Sequence, residues 1–373
     1  MNMRRAPRRN TRMAGPSAKS GRRVGLFVAL GGMVGALAIG ASVLPLASAQ
    51  VPVDPPAPVY YGVNLASGSF ASNKLPGVHG KDYIYPTKAV AEPFRAMGMN
   101  TVRLPVTWER LQPVPLVALD EQEIERLDKV IADLSAFKSV IIDVHNYGRY
   151  RGIALDQPAR SGAMLADLWT RLAERYKSNP RVAFGLMNEP HGMDSAAWRR
   201  IADQSVDAIR RTGARNLVLI PGTRWTGGHS WNAGGPKSNA TALSGFVDPG
   251  RNFVFEIHQY LDTDSSGTKK DCVGGKAGRK RLAGVTRWLR EEKAQAILAE
   301  FGVPPTPTCL EELDDMMAFL RENGDVWVGW TYWAGGDWWG NYPYSIQPQD
   351  GRPKPQSEVL QRHIAGYRSS RGS

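Results

Sequence analysis

The chain alternates between two hydrophobic rhythms. Short apolar, β-branched runs recur at 61–65, 101–104, 140–144, 182–187, 217–220, 253–257, 296–299 and 326–332. Their lengths and bounding turn residues predict buried strands. Between most of them, apolar residues return every three to four positions. In 121–137, EQEIERLDKVIADLSAF, these are Ile124, Leu127, Ile131 and Leu134, a stripe down one helical face. Segments 162–176, 195–211, 282–293 and 310–322 repeat the idea. The stretch 225–244, after the fifth run, is glycine-rich and predicts mostly loop. Strand–helix alternation implies parallel strands with helices outside. Eight such units in about 310 residues predict one α/β domain, a (β/α)8 TIM barrel. No G-x-G-x-x-G motif follows the first strand, which argues against dinucleotide binding.

Composition narrows the class. Hydrophobic residues make up 42% and charged residues 22%, which excludes a disordered chain. Only one segment is apolar for long enough to span a membrane. The net charge of +12 suggests an acidic partner until its distribution is seen. Arg4, Arg5, Arg8, Arg9, Arg12, Lys19, Arg22 and Arg23 crowd the first 23 residues, with no acid among them. Removing those eight leaves 39 basic against 35 acidic groups, a net of +4, so no nucleic-acid partner is expected. Residues 24–46 are apolar and small, and Ala47-Ser48-Ala49 follows. Residues 1–49 thus read as a secretory signal peptide, or as a single N-terminal membrane anchor with Arg on the cytoplasmic side. Either places the rest in the secreted, periplasmic or surface-anchored class. Residues 50–59 contain VPVDPPAP (51–58), a Pro-rich linker, and 60–373 form the folded domain.

In a barrel of this kind the chemistry sits where strands end. Strand two ends at Arg103, strand three at His145-Asn146 and strand four at Asn188-Glu189-Pro190. Strand six ends at His258 and Tyr260, strand seven at Glu300 and strand eight at Trp333. Any one of these could be a structural partner; six polar strand ends together point to a site. Glu189 and Glu300 would face each other across the mouth. Two carboxyls flanking one bond suit glycoside hydrolysis, with retention at about 5 Å separation and inversion at about 6.5–9.5 Å. Arg103 and Tyr260 near Glu300 would favour its ionised form, and Asn188 could bond a sugar hydroxyl. Asp143 and Glu256 precede the two histidines by two residues and share their face, which makes them barrel-interior partners, or else solvent-facing acids.

Eleven tryptophans give a second signal. Trp225, Trp231, Trp330, Trp333, Trp338 and Trp339 suit a polysaccharide cleft, where sugar rings stack on flat faces. Trp327 reads as packing, as do the helical Trp169, Trp198 and Trp288.

The blocks NTVRLPVTWERL (100–111), IIDVHNYGRY (141–150), GLMNEPHG (185–192), EIHQYLDTDSSGT (256–268), AILAEFG (296–302) and GWTYWAGG (329–336) resemble glycoside hydrolase family 5. They are most similar to its secreted endo-β-1,4-glucanases. The resemblance implies a retaining double displacement on a β-glucan such as cellulose, with Glu189 as general acid/base and Glu300 as nucleophile. It implies supporting roles for Arg103, His145, Asn188, His258, Tyr260 and Trp333; Asn146 and Trp225 join them as substrate-binding or supporting residues. Phe301-Gly302 and the Trp-rich loop 335–344 depart from the pattern and are expected near the cleft. Sibling specificities are a β-mannanase, a xyloglucanase or another β-glucanase, and the non-enzymatic alternative is a polysaccharide-binding barrel. Cys272 and Cys309 are expected to pair as one disulfide in an exported protein, as the related endoglucanases also imply. No Cys/His cluster has zinc-like spacing, so neither metal nor cofactor is expected, and a monomer is anticipated.

Overall fold

The computed structural model describes residues 59–157 and 161–369. Residues 1–49, expected to be a signal peptide or anchor, and most of the expected Pro-rich linker lie outside the described residues. Eight strands form the frame: β1 (Tyr60–Leu65), β2 (Thr101–Val106), β3 (Ser139–Val144), β4 (Val182–Gly185), β5 (Val218–Pro221), β6 (Phe253–His258), β7 (Ala296–Glu300) and β8 (Trp327–Gly335). All pair in parallel with their sequence neighbours, and β1 pairs with β8 to close the barrel. Among the described residues, eight helices alternate with them, a further four-residue helix at Trp108–Leu111 following β2: α1 (Lys88–Ala96), α2 (Glu121–Asp133), α3 (Gly162–Tyr176), α4 (Ser195–Arg211), α5 (Asn239–Leu243), α6 (Ala277–Glu291), α7 (Pro307–Glu322) and α8 (Pro355–Ser369). The expected (β/α)8 architecture is therefore present. Among the described residues no helix is long and apolar enough to cross a membrane.

Helix ends follow local chemistry. Asp194 caps α4 by accepting from the N–H groups of Ala196 and Ala197. Trp198, Ile201, Ala202, Ser205, Val206 and Ile209 then face the barrel at helical spacing. α7 starts earlier than its apolar stripe suggested, because Thr306 caps Cys309 N–H and Pro307 suits the first turn. α1 escaped the sequence reading: Pro93 interrupts its pattern, yet Thr87 caps it and Ala91 and Phe94 bury one face.

The core has two layers. A large one lies between barrel and helices, and a small one of Ile141, Ala183, Leu219, Val254, Ile297 and Ala299 fills the barrel interior. The helical tryptophans pack there as expected, each indole N–H finding an acceptor. Trp169 donates to the Leu186 carbonyl at 3.0 Å, Trp198 to that of Pro221 at 2.7 Å, and Trp288 to that of Ala240 at 3.1 Å.

Four expectations need correction. β2 continues to Val106, so Arg103 lies mid-strand inside the barrel and not at its tip. β4 stops at Gly185, two residues short of the apolar run. Trp231 and Trp330 are fully buried: Trp231 packs on Phe255 and Trp288, and Trp330 on Tyr61 and Phe301. Phe301 is also buried, behind the site against Tyr332. Its neighbour Gly302 is there for space, since a Cβ would sit 2.3 Å from the Trp333 carbonyl oxygen.

Cys272 and Cys309 are bonded, tying the segment before α6 to the first turn of α7. Replacing both by serine is expected to lower the unfolding free energy by about 4 kcal/mol, the chain-entropy value for a 37-residue separation, read as a lower urea midpoint.

Candidate active site

Alternation along the strands builds the site in tiers. On β3 the inward face runs Ile141, Asp143 and then His145; on β6 it runs Val254, Glu256 and His258. The apolar tier closes the barrel interior. Above it lies a charged tier of Arg103, Asp143 and Glu256, all wholly buried.

Arg103 is the hub. Nη1 donates to Glu300 Oε1 and to Asn64 Oδ1, both at 2.9 Å. Nη2 donates to Asn188 Oδ1 and Glu256 Oε1, both at 2.8 Å, and lies 3.1 Å from Asp143 Oδ1. The acids beside the histidines are thus interior partners. Asp143 Oδ2 pairs with His145 Nδ1 at 2.7 Å, and Glu256 Oε1 with His258 Nε2 at 3.1 Å.

The two glutamates meet as expected. Glu300 ends β7, and its Oε2 accepts from the Tyr260 hydroxyl at 3.0 Å. Glu189 follows β4 with a backbone φ of +42°, unusual for a side-chain-bearing residue and typical of functional sites. Its Oε1 lies 2.8 Å from His258 Nδ1, which is also 3.5 Å from Glu300 Oε2. Burial pushes Glu189 above the usual carboxyl range, and the charge of Glu300 adds to this against the opposing His258. Burial also pushes on Glu300, but His258, Arg103, His145 and the Tyr260 hydroxyl outweigh it and hold that carboxyl low. One acid is biased toward its proton, the other toward its charge.

Glu189, His258 and Glu300 bring ligand-type atoms within 4.8 Å of one another. A metal ion there would have to compete with the Arg103 guanidinium and the His258 ring that already contact these oxygens.

Aromatic faces border the carboxylates. Trp333 stacks on His145, with centroids 5.6 Å apart, and Trp339 meets Trp333 edge-on at 5.7 Å. Trp225, 55% exposed, stacks on His191 at 4.7 Å beside Glu189. A cavity of about 460 Å³ opens between Glu189, Trp225 and Tyr260. Asn146 is turned elsewhere. It accepts from the Trp108 N–H at 2.8 Å and donates to Glu109 at 2.7 Å, bracing the loops after β2 and β3.

Three contributors were not singled out from sequence. Asn64 was legible as a polar residue in an apolar run. Tyr147 places its hydroxyl 3.3 Å from His145 Nε2, and His191 backs Trp225. Both follow the strand ends within two residues of a recognised side chain, which was their only signal.

An eight-stranded parallel barrel with paired glutamates at its mouth, one pushed toward its protonated form and one toward its ionised form, is the arrangement glycoside hydrolysis uses. Residues 61–336 match the family model described as cellulase (glycosyl hydrolase family 5), and the chain belongs to that family. Endoglucanase 3 of Humicola insolens is 34% identical over 295 residues, covering 78% of this chain and 74% of that protein. The solved endo-β-1,4-glucanase Xac0029 of Xanthomonas axonopodis pv. citri is 44% identical with a TM-score of 0.80, covering 83% of this chain and 99% of that one. Pseudomonas stutzeri endoglucanase Cel5A, solved with cellobiose, is 31% identical with a TM-score of 0.76, covering 84% and 95%.

Tyr260→Phe removes one hydrogen bond that favours ionised Glu300, so that carboxyl should titrate higher. A group needed ionised is lost as pH falls through its pKa. The acid limb of kcat/KM is therefore expected to move to higher pH in this variant, checked by a pH profile of β-glucan hydrolysis.

Proposed function

We propose that the protein is a retaining endo-β-1,4-glucanase that cleaves internal bonds of cellulose-type β-glucans. The carboxylate spacing carries the reading. Oxygens of Glu189 and Glu300 approach within 4.8 Å, close to the retaining separation of about 5–5.5 Å and short of the inverting one. The relatives' names support the polymer and the endo mode.

The electrostatics support the order of events. Ionised Glu300 attacks the anomeric carbon while Glu189 gives its proton to the leaving oxygen. Ester formation then removes the negative charge of Glu300, one of the influences that keeps Glu189 protonated. Glu189 then ionises more readily, so it is available as the base at the moment it must take a proton from water. Asn188, fixed through Oδ1 by Arg103, offers its amide hydrogens to a sugar hydroxyl. Trp225 stands on the Glu189 side, where a leaving-group sugar would stack.

The basic tail and apolar run at residues 1–49 direct this domain out of the cytoplasm in the same reading. The Cys272–Cys309 bond supports an oxidising compartment.

Glu189→Gln and Glu300→Gln are each expected to lose roughly 10³-fold or more in kcat on carboxymethylcellulose. Near-normal activity in either would remove that residue from its role. NMR of early products from cellopentaose should give the β-anomer first, and the α-anomer first would rule out retention. Trp225→Ala is expected to raise KM for cellopentaose by roughly tenfold, with a smaller change in kcat. Assays on mannan, xyloglucan and lichenan separate the sibling specificities.

A further inference from the structure

One buried acid has no task in this mechanism. Glu256 is wholly buried on β6, two residues before His258. Its Oε1 accepts from Arg103 Nη2 at 2.8 Å and pairs with His258 Nε2 at 3.1 Å. Its Oε2 is buried with no hydrogen-bond partner. An acid retained only for packing would satisfy both oxygens. This one commits a single oxygen to a guanidinium and an imidazole.

That contact settles the chemistry of His258. Ionised Glu256 accepts hydrogen bonds only, so Nε2 must carry a hydrogen. The other ring nitrogen, Nδ1, faces Glu189 Oε1 at 2.8 Å. With Nε2 fixed, the proton between Nδ1 and Oε1 can sit on either atom, and the hydrogen bond survives both placements. We propose that Glu256 is a positioning residue that, by holding the Nε2 hydrogen, makes His258 and Glu189 share the one proton used in catalysis. The inference rests on the reading of Glu189 as acid/base.

The protons balance. In the first step the shared proton leaves Oε1 for the glycosidic oxygen as Glu300 bonds the anomeric carbon and the bond from that carbon to the glycosidic oxygen breaks. In the second, water attacks that carbon, the ester bond to Glu300 breaks to restore its carboxylate, and one water proton returns to Oε1. The groups facing His258 are Glu189 from the loop after β4, Glu300 from β7 and Glu256 from its own strand. Arg103 from β2 reaches it through Glu256, Tyr260 bonds Glu300, and His145, paired with Asp143 on β3, acts on both catalytic carboxylates. Burial disfavours the imidazolium, but the three glutamates push His258 up to about 10.

Glu256→Gln keeps the size and an acceptor for Nε2 while removing the charge. The His258–Glu189 pair then holds its proton less tightly. The basic limb of kcat/KM for cellopentaose should fall by roughly half a pH unit or more, while Glu256→Asp, which keeps the charge, should shift it less. A limb unmoved in Glu256→Gln, with activity reduced equally at every pH, would overturn the proposal. If that variant does not fold, ¹⁵N NMR of the parent protein decides: Nε2 of His258 must remain protonated from about pH 5 to 8, and its loss of hydrogen there would overturn the idea. Glu189→Gln separates the two readings. Normal activity in it removes the acid/base assignment, whereas an inactive Glu189→Gln with an unmoved Glu256→Gln limb removes only the sharing of the proton.

Discussion

A single guanidinium sets the terms for this active site. Arg103 sits wholly buried inside the barrel, where an unpaired charge would cost several kcal/mol or more. It is tolerated because Asp143, Glu256 and Glu300 arrive from three other strands to meet it. Those strands must therefore hold one register. Arg103 pairs with Ile141 across β2–β3, and His258 with Glu300 across β6–β7, where a bulge re-aims the strand. A slip of one residue in any of them would turn its acid to the outer face and strand the arginine.

From this shared hub the two glutamates diverge. Glu300 is held deep, with Arg103, Tyr260 and His258 all favouring its charge. Glu189 stands higher, its side chain 16% exposed, hydrogen-bonded through its carboxylate to His258 and with a backbone in the left-handed region. Burial pushes both upward, but the charges of His258, Arg103 and His145 and the Tyr260 hydroxyl pull Glu300 down, while at Glu189 the charge of Glu300 adds to burial against His258. Both carboxylates touch the same imidazole, so neither can be retuned without moving the other.

Much of this was legible because a barrel converts sequence order into spatial order. Polar residues ending apolar strands named Glu189, Glu300, His145, His258 and Tyr260, and the period of two named Asp143 and Glu256 as their partners. What escaped was depth and direction. Arg103 ends no strand, since β2 runs three residues beyond it. Trp231 and Trp330 share the composition of the cleft residues, and only packing against Phe255, Trp288 and Phe301 distinguishes them. Asn146 sits beside His145 but faces Trp108 and Glu109, because consecutive residues after a strand point to different sides. α1 was hidden by a proline its helix accommodates.

Asn64 lies where the barrel closes. On β1, its amide nitrogen donates to the carbonyls of Ala299, Thr331 and Tyr332, on β7 and β8, while its oxygen accepts from Arg103. The first strand and the last are thereby stitched beneath the catalytic pair. Arg103 itself draws its partners from β1, β3, β6, β7 and the loop after β4, and β8 acts on it through Asn64. With β8 undocked, Asn64 would lack two of the three carbonyls that orient it, those of Thr331 and Tyr332. Closure of the barrel thus completes the orientation of Asn64 and, through it, the hydrogen-bond set of the arginine that holds Glu300.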